Sequence, residues 1–173
     1  MLTAARIRQL LEALNAELAL EAVRGELFLA GGAVMCLVFH AREATKDIDA
    51  LLVPARELRR AAEAVGDREG LPVDWLNDAV KGFFSESGRF EVYAEFSHLR
   101  ISVPHPEYLL AMKCMAMRLG EEFQDRGDVA VLLKILALRG MGDAESVLAR
   151  YYPLDRYPAR ARYVLEELLE GGG

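Results

Sequence analysis

Ile7, Leu10, Leu11, Leu14 and Leu18 recur at three- and four-residue spacing across residues 3 to 20. That period predicts an amphipathic helix with one apolar stripe turned to a core. Arg24-Gly25 breaks it. The short apolar run Glu26-Leu-Phe-Leu-Ala30 then predicts a buried strand that enters a tight turn at Gly31-Gly32. Ala33 to His40 has helical spacing, and Asp47 to Val53 predicts a strand stopped by Pro54. Residues 55 to 65 predict a charged amphipathic helix closed by Gly66. Leu71 to Trp75 predicts a short third strand. Phe90–Phe96 and Leu99–Val103 predict a hairpin, bounded by Ser97-His98 and Pro104.

From Pro106 onward the pattern changes to helices alone. Residues 107–119, 126–139, 143–151 and 159–169 carry helical periodicity, separated by Gly120, Gly140, Gly142 and Pro153. No internal repeat or low-complexity linker interrupts the chain. The order predicts an α/β (α+β) fold in two parts. Residues 1–104 make a mixed sheet flanked by helices, and residues 105–173 make a helical subdomain packed on it.

Composition narrows the classes. A chain of 173 residues with 53% hydrophobic residues suits one domain, or one domain with a helical appendage. No apolar run reaches the length of a membrane span, and the longest, Leu132 to Leu138, is interrupted by Lys134. The N-terminal stretch mixes charges with Leu and Ala and lacks the continuous apolar segment of a signal peptide. Cys36 and Cys114 lie in apolar helical contexts and read as buried thiols, which points to the cytoplasm and to no membrane partner. His40, His98 and His105 are scattered, without zinc spacing. The net charge of −6 argues against a protein that coats nucleic acid generally. A local basic group does flank the sequence 47–49: Arg42 and Lys46 before it, Arg56, Arg59 and Arg60 after. It reads equally well as a solvated helix face.

The candidate chemistry begins with Asp47-Ile48-Asp49. Side chains alternate along a strand, so both carboxylates project from one face while Ile48 enters the core. Two adjacent carboxylates repel and call for a counter-cation, and hard oxygen donors suit Mg²⁺ or Mn²⁺. Plain turns and solvated strands also carry such strings. About fifteen residues upstream, Gly31-Gly32 lies between a strand and a helix, where backbone N–H groups can approach an anion closely. Phosphates held by that turn would lie next to metal held by the carboxylates, as phosphoryl transfer requires.

These residues carry a resemblance. Leu29-Ala-Gly31-Gly32-Ala33, a helix, and Thr45-Lys-Asp47-Ile-Asp49-Ala-Leu-Leu resemble the core motif of the polymerase-beta-like nucleotidyltransferase superfamily. Downstream, Tyr108-Leu-Leu-Ala-Met-Lys113-Cys-Met-Ala116-Met-Arg118 with Asp125-Arg-Gly-Asp128 resembles the AbiEii branch. Those are toxin-like nucleotidyltransferases of abortive-infection and toxin–antitoxin systems. The similarity spans roughly residues 26 to 135. It implies a nucleotidyltransferase-type fold and Mg²⁺-dependent transfer of an NMP from an NTP to a hydroxyl acceptor, an RNA 3′ end or a protein. It also implies an antitoxin protein as a partner.

The resemblance further implies that Asp47 and Asp49 bind metal together with a third carboxylate on a neighbouring strand. Asp74, in Pro72-Val73-Asp74-Trp75, matches best, with Glu91 and Glu95 as competitors. Asp74 also reads as a helix N-cap. Gly31 and Gly32 would seat the phosphates, with Lys113 as their counter-charge. Lys113 is bracketed by apolar residues, so it either snorkels from the core or points into a cleft. Asp125 and Asp128 equally suit a capping pair at the start of the next helix. One departure stands out. Many active members place Ser or Thr after the second glycine, and this chain has Ala33. That departure keeps alive a second reading: a catalytically weak binding module on the same fold, one half of a toxin–antitoxin pair.

Overall fold

Thr3 starts the first helix by accepting a hydrogen bond from the Arg6 amide at 3.2 Å, which satisfies one of the orphan N–H groups of the first turn. In this computed structural model, which describes residues 1–121 and 123–171, that helix is α1, Ala4–Leu20, and it buries Ile7, Leu10, Leu11, Leu14 and Leu18. It follows β1 (Leu2–Thr3) and precedes β2 (Gly25–Ala30), α2 (Gly31–Leu37), β3 (Ala44–Thr45) and β4 (Ile48–Val53). Next come α3 (Ala55–Glu69), β5 (Leu76–Asn77), a 3₁₀ turn at Ala79–Phe83, β6 (Phe90–Glu95) and β7 (Leu99–Pro104). The helices α4 (Pro106–Met115), α5 (Asp125–Ile135), α6 (Met141–Leu148) and α7 (Ala159–Glu170) complete the order. The chain is a mixed α/β protein. Among the described residues no helix is long and apolar enough to cross a membrane.

Contacts divide it into two compact units, residues 1–82 with 90–103, and residues 83–89 with 104–173. The first unit holds a five-stranded sheet in the order β5-β4-β2-β7-β6. β2 runs antiparallel to β4, with Ala30 opposite Asp49, and parallel to β7, while β4 runs parallel to β5. Leu27 and Leu29 of β2, Ile48 and Ala50 of β4, and Leu99 and Ile101 of β7 are fully buried. The intervening residues Glu26, Phe28, Asp49 and Leu51 stay half-buried, so the two faces of the sheet differ as the pleat requires. Leu18 and Leu58 meet at Gly25, which joins α1 and α3 to the buried face.

Four elements depart from the periodicity. α3 does not stop at Gly66 but runs on to Glu69, and Gly70 ends it in the left-handed conformation (φ +65). The Trp75 indole occupies the space a side chain at Gly66 would need, and its N–H donates to the Ala62 carbonyl at 2.9 Å. The short strand expected at Leu71–Trp75 instead lies at Leu76–Asn77, because the chain turns at Val73-Asp74. β1 and β3 form an antiparallel ribbon that pairs Leu2 with Thr45 and Thr3 with Ala44. Each strand of that ribbon is two residues long, too short for any periodicity to reveal.

In the second unit Tyr108 is fully buried, stacks on Tyr151 at 5.1 Å, and accepts a hydrogen bond from the Ser85 amide at 2.7 Å. Gly88 lies against the same ring, so closely that a side chain there would collide with it. Tyr152 donates to the Phe83 carbonyl. These contacts fasten the 83–89 loop to the helices. Cys114 is buried, and burial pushes its thiol up to about 12, which leaves it protonated and inert near neutrality. Cys36 is buried too.

Candidate functional site

At the end of β2 the chain must reverse into α2 with no room for side chains. Gly31 takes a left-handed conformation (φ +63), which glycine adopts at little cost. A methyl carbon built on Gly31 would collide with the Asp49 carboxylate, Oδ2. One built on Gly32 would sit 2.5 Å from Thr45 Oγ1 and 2.7 Å from an Arg42 guanidinium nitrogen, Nη1. The glycine pair therefore lets a carboxylate, a hydroxyl and a guanidinium press against its backbone.

Those three side chains arrive from one short stretch. Asp49 comes from β4, where it is held opposite Ala30. Ile48, fully buried, fixes the strand's rotation, so Asp49 faces away from the core. Asp47 stands in the bend just before β4, and both aspartates are half-buried. Thr45 comes from β3, where the ribbon with Leu2 fixes its backbone, and only 4% of its surface is exposed. Arg42 precedes it in the loop that leaves α2. Asp49 and the glycine turn thus meet at one end of the sheet.

The other predicted residues lie differently. Asp74 is exposed in the turn before β5, where it borders a groove of about 430 Å³ together with Glu63, Asp67 and Arg59. On β5 the residue registered with Asp49 is Asn77. Glu91 and Glu95 are exposed on β6, with β7 and β2 between that strand and β4, and Glu95 pairs with Arg100 at 2.9 Å. Among the described residues no group of three or more His, Cys, Asp or Glu side chains is arranged to hold a metal ion.

Lys113 is buried on α4. Its ammonium lies 3.2 Å from Asp125 Oδ1 and 2.6 Å from Asp128 Oδ2. Asp125 also accepts from the Arg118 amide at 3.0 Å and the Arg118 side chain at 3.1 Å. Burial would raise the Asp125 pKa, but the charge of Lys113 and the hydrogen bonds from Arg118 outweigh it and hold the carboxyl below its ordinary value. The N-cap of α5 is Gln124, without a side-chain cap bond, so the two aspartates act as clamps on Lys113 rather than as a capping pair.

Asn77 and the Thr45–Gly32 contact had no signal in spacing or periodicity. Thr45 stands two residues before Asp47 in the string 45–52, but only the β1–β3 ribbon turns it toward Gly32. The sequence matches no protein-family model, and no curated protein and no solved structure is significantly similar to it.

Proposed function

We propose that the chain is a divalent-metal-dependent nucleotidyltransferase of the polymerase-beta-like kind. The observation that carries this reading is the contact of Asp49 and its neighbours with the Gly31-Gly32 turn. Asp47 and Asp49 are hard oxygen donors, and Mg²⁺ is commonly held by one or two carboxylates together with substrate phosphates and water. A two-carboxylate donor set therefore fits Mg²⁺ or Mn²⁺ without a third protein ligand. Bound there, the ion would neutralise charge on the NTP phosphates.

The chain's own residues have distinct tasks in this reading. The backbone of Gly31 and Gly32 lies against the phosphates. Asp47 and Asp49 orient the metal-bearing end of the NTP. The acceptor hydroxyl, from an RNA 3′ end or a protein side chain, attacks the α-phosphorus. A new O–P bond forms, the bond to the β-bridging oxygen breaks, and pyrophosphate leaves. The hydroxyl proton needs an acceptor, and Asp74, two residues before the strand beside β4, is the carboxylate given that role. Lys113 receives no phosphate role, because its charge is shared by Asp125 and Asp128.

One observation favours a second reading, the binding module. The position beside Asp49 on β5 is Asn77, an amide that can accept a hydrogen bond but cannot serve as a general base. A module of this kind would engage nucleotide, or an antitoxin-type protein, without turnover.

The experiment is incubation with Mg²⁺, each labelled NTP, and total RNA and protein. Transfer of label by the wild type supports the enzyme. If Asp74→Asn then loses roughly a hundredfold or more, Asp74 is the base. Label that survives in Asp74→Asn but is lost in Glu91→Gln or Glu95→Gln moves the base to β6. Nucleotide binding with no labelled acceptor establishes the binding module.

A further inference from the structure

We propose that the groove between α3 and the turn before β5 docks a basic, partly apolar segment of a partner protein. The proposal does not depend on the nucleotidyltransferase reading.

Two stretches close in sequence build the groove. α3 lines it with Arg59, Ala62, Glu63, Gly66 and Asp67, positions three and four apart that share one side of a helix. Residues 71–78 form the other wall, and Leu52 of β4 completes the lining. Trp75 and Leu76 are buried there, whereas Pro72 is exposed and Val73 is wholly exposed. A single exposed valine needs no explanation by itself. Here it adjoins a groove of about 430 Å³ with an apolar base, so one partner can remove both from water. β5 is also the edge strand of the sheet, which gives an extended segment a strand to lie beside.

Charge identifies the occupant. Glu63 and Asp67 stand four residues apart on an exposed helix face, a spacing at which like charges repel. Arg59, one turn before Glu63, is spaced to relieve them. It donates instead to Asp78, and Lys81 lies 3.8 Å from that same carboxylate. Among the described residues Glu63, Asp67 and Asp74 make no ion pair. The groove therefore holds three carboxylates without a counter-charge, and Arg59 is already engaged. That potential repels RNA and acidic surfaces and favours Lys or Arg. A small cation would answer the carboxylates but leave Val73 and the apolar lining in water. A segment with Lys or Arg on either side of an apolar residue answers both.

The test uses the full chain without nucleotide and reads its single tryptophan. Trp75 lines the groove, so its indole N–H resonance reports occupancy there. The probes are a short peptide of alternating Lys and Val, the same peptide with Glu for Lys, and one of alternating Lys and Gly. The Lys-Val peptide is expected to shift the Trp75 resonance to saturation. The Lys-Gly peptide should bind about tenfold more weakly, and the Glu-Val peptide not at all. Glu63→Gln with Asp67→Asn should weaken the Lys-Val peptide by about fivefold, the scale of two exposed ion pairs, and Val73→Ser by a similar factor. Glu12→Gln with Glu170→Gln removes the same charge outside the groove and should leave affinity unchanged. Equal weakening by the two charge pairs overturns the proposal, because net charge then attracts the peptide. A Lys-Gly peptide that binds as tightly as Lys-Val reduces the groove to an acidic cluster and overturns it too. So does a Trp75 resonance that ignores the Lys-Val peptide, that responds to single-stranded RNA instead, or that moves with protein concentration alone because a second copy fills the groove. Asp74 stays unchanged in every arm, so failure of the groove and failure of the nucleotidyltransferase reading remain separate results.

Discussion

The chain carries two closely spaced aspartate pairs, one in each unit, and they live in opposite surroundings. Asp125 and Asp128 are each 3% exposed, and the Lys113 ammonium lies against both. Arg118 adds a second cation at the rim. Two buried negative charges meet one buried cation and one exposed one, and the local charge balances. Asp47 and Asp49 remain half-buried at the start of a strand, with Asp49 against a glycine turn. The difference separates two uses of the same side chain. A carboxylate pair matched by a buried cation holds elements together. A half-buried pair beside a glycine turn can still exchange partners with a ligand.

The largest expected effect comes from opening the sealed pair. Lys113→Met should destabilise the protein by about 3–5 kcal/mol, because it removes the buried ammonium that two buried carboxylates share. Urea unfolding measures it, and a loss under about 1 kcal/mol would show that water or other groups already serve those carboxylates. An acid arm sharpens the point. The folded pKa of Asp125 is lowered from its ordinary 3.8, so the stability it contributes is fully present above that value. That contribution is lost as pH falls through the lower, folded value. Stability should therefore drop below about pH 4 in wild type and drop less in Asp125→Asn.

The open pair should behave in the reverse way. Asp47→Asn combined with Asp49→Asn should leave the fold intact, since Ile48 between them still anchors the strand. Label transfer should fall by roughly a hundredfold or more, since the loss of a metal's charge stabilisation amounts to several kcal/mol. The rise in melting temperature produced by Mg²⁺ in wild type should vanish as well, because that rise requires binding to the native state. A double variant that still responds to Mg²⁺ as wild type does would place the ion elsewhere.

The contrast between the pairs was only half legible in the sequence. The stripe Ile7 to Leu18 named α1 because a 3.6-residue period has few other causes. Asp47-Ile48-Asp49 announced its own face because Ile48 must go inward. Lys113 read as bracketed by apolar residues, yet its partner Asp125 lies twelve residues later on another helix, and only tertiary packing brings them together. Val73-Asp74-Trp75 alternates like a strand, but Val73 is fully exposed and the backbone turns there. Alternating exposure is a property that turns share with strands, so the strand slid by a few residues and Asn77 took the place expected for an aspartate. Gly66 read as a helix stop because glycine usually is one. Here its missing side chain makes room for the Trp75 indole, which folds back from the turn beyond the helix and which helical spacing does not announce.

The smallest expected effect isolates the contact between the open pair and its turn. Gly31 and Gly70 have nearly the same positive φ, +63 and +65. Their surroundings differ: a methyl at Gly70 would meet nothing within 4 Å, whereas one at Gly31 would collide with Asp49 Oδ2. Gly70→Ala should cost about 1–2 kcal/mol, the strain of an L-residue in the left-handed region. Gly31→Ala should cost that amount plus the work of turning the Asp49 carboxylate aside, about another 1–3 kcal/mol on the scale of overpacking. The excess of Gly31→Ala over Gly70→Ala therefore measures how firmly Asp49 is held on the turn. Adding Asp49→Ala removes the obstacle. The excess should then disappear in the double variant, as a double-mutant cycle reads directly. An excess that persists without the Asp49 side chain would mean that the turn itself, and not its contact with the carboxylate, resists the methyl group.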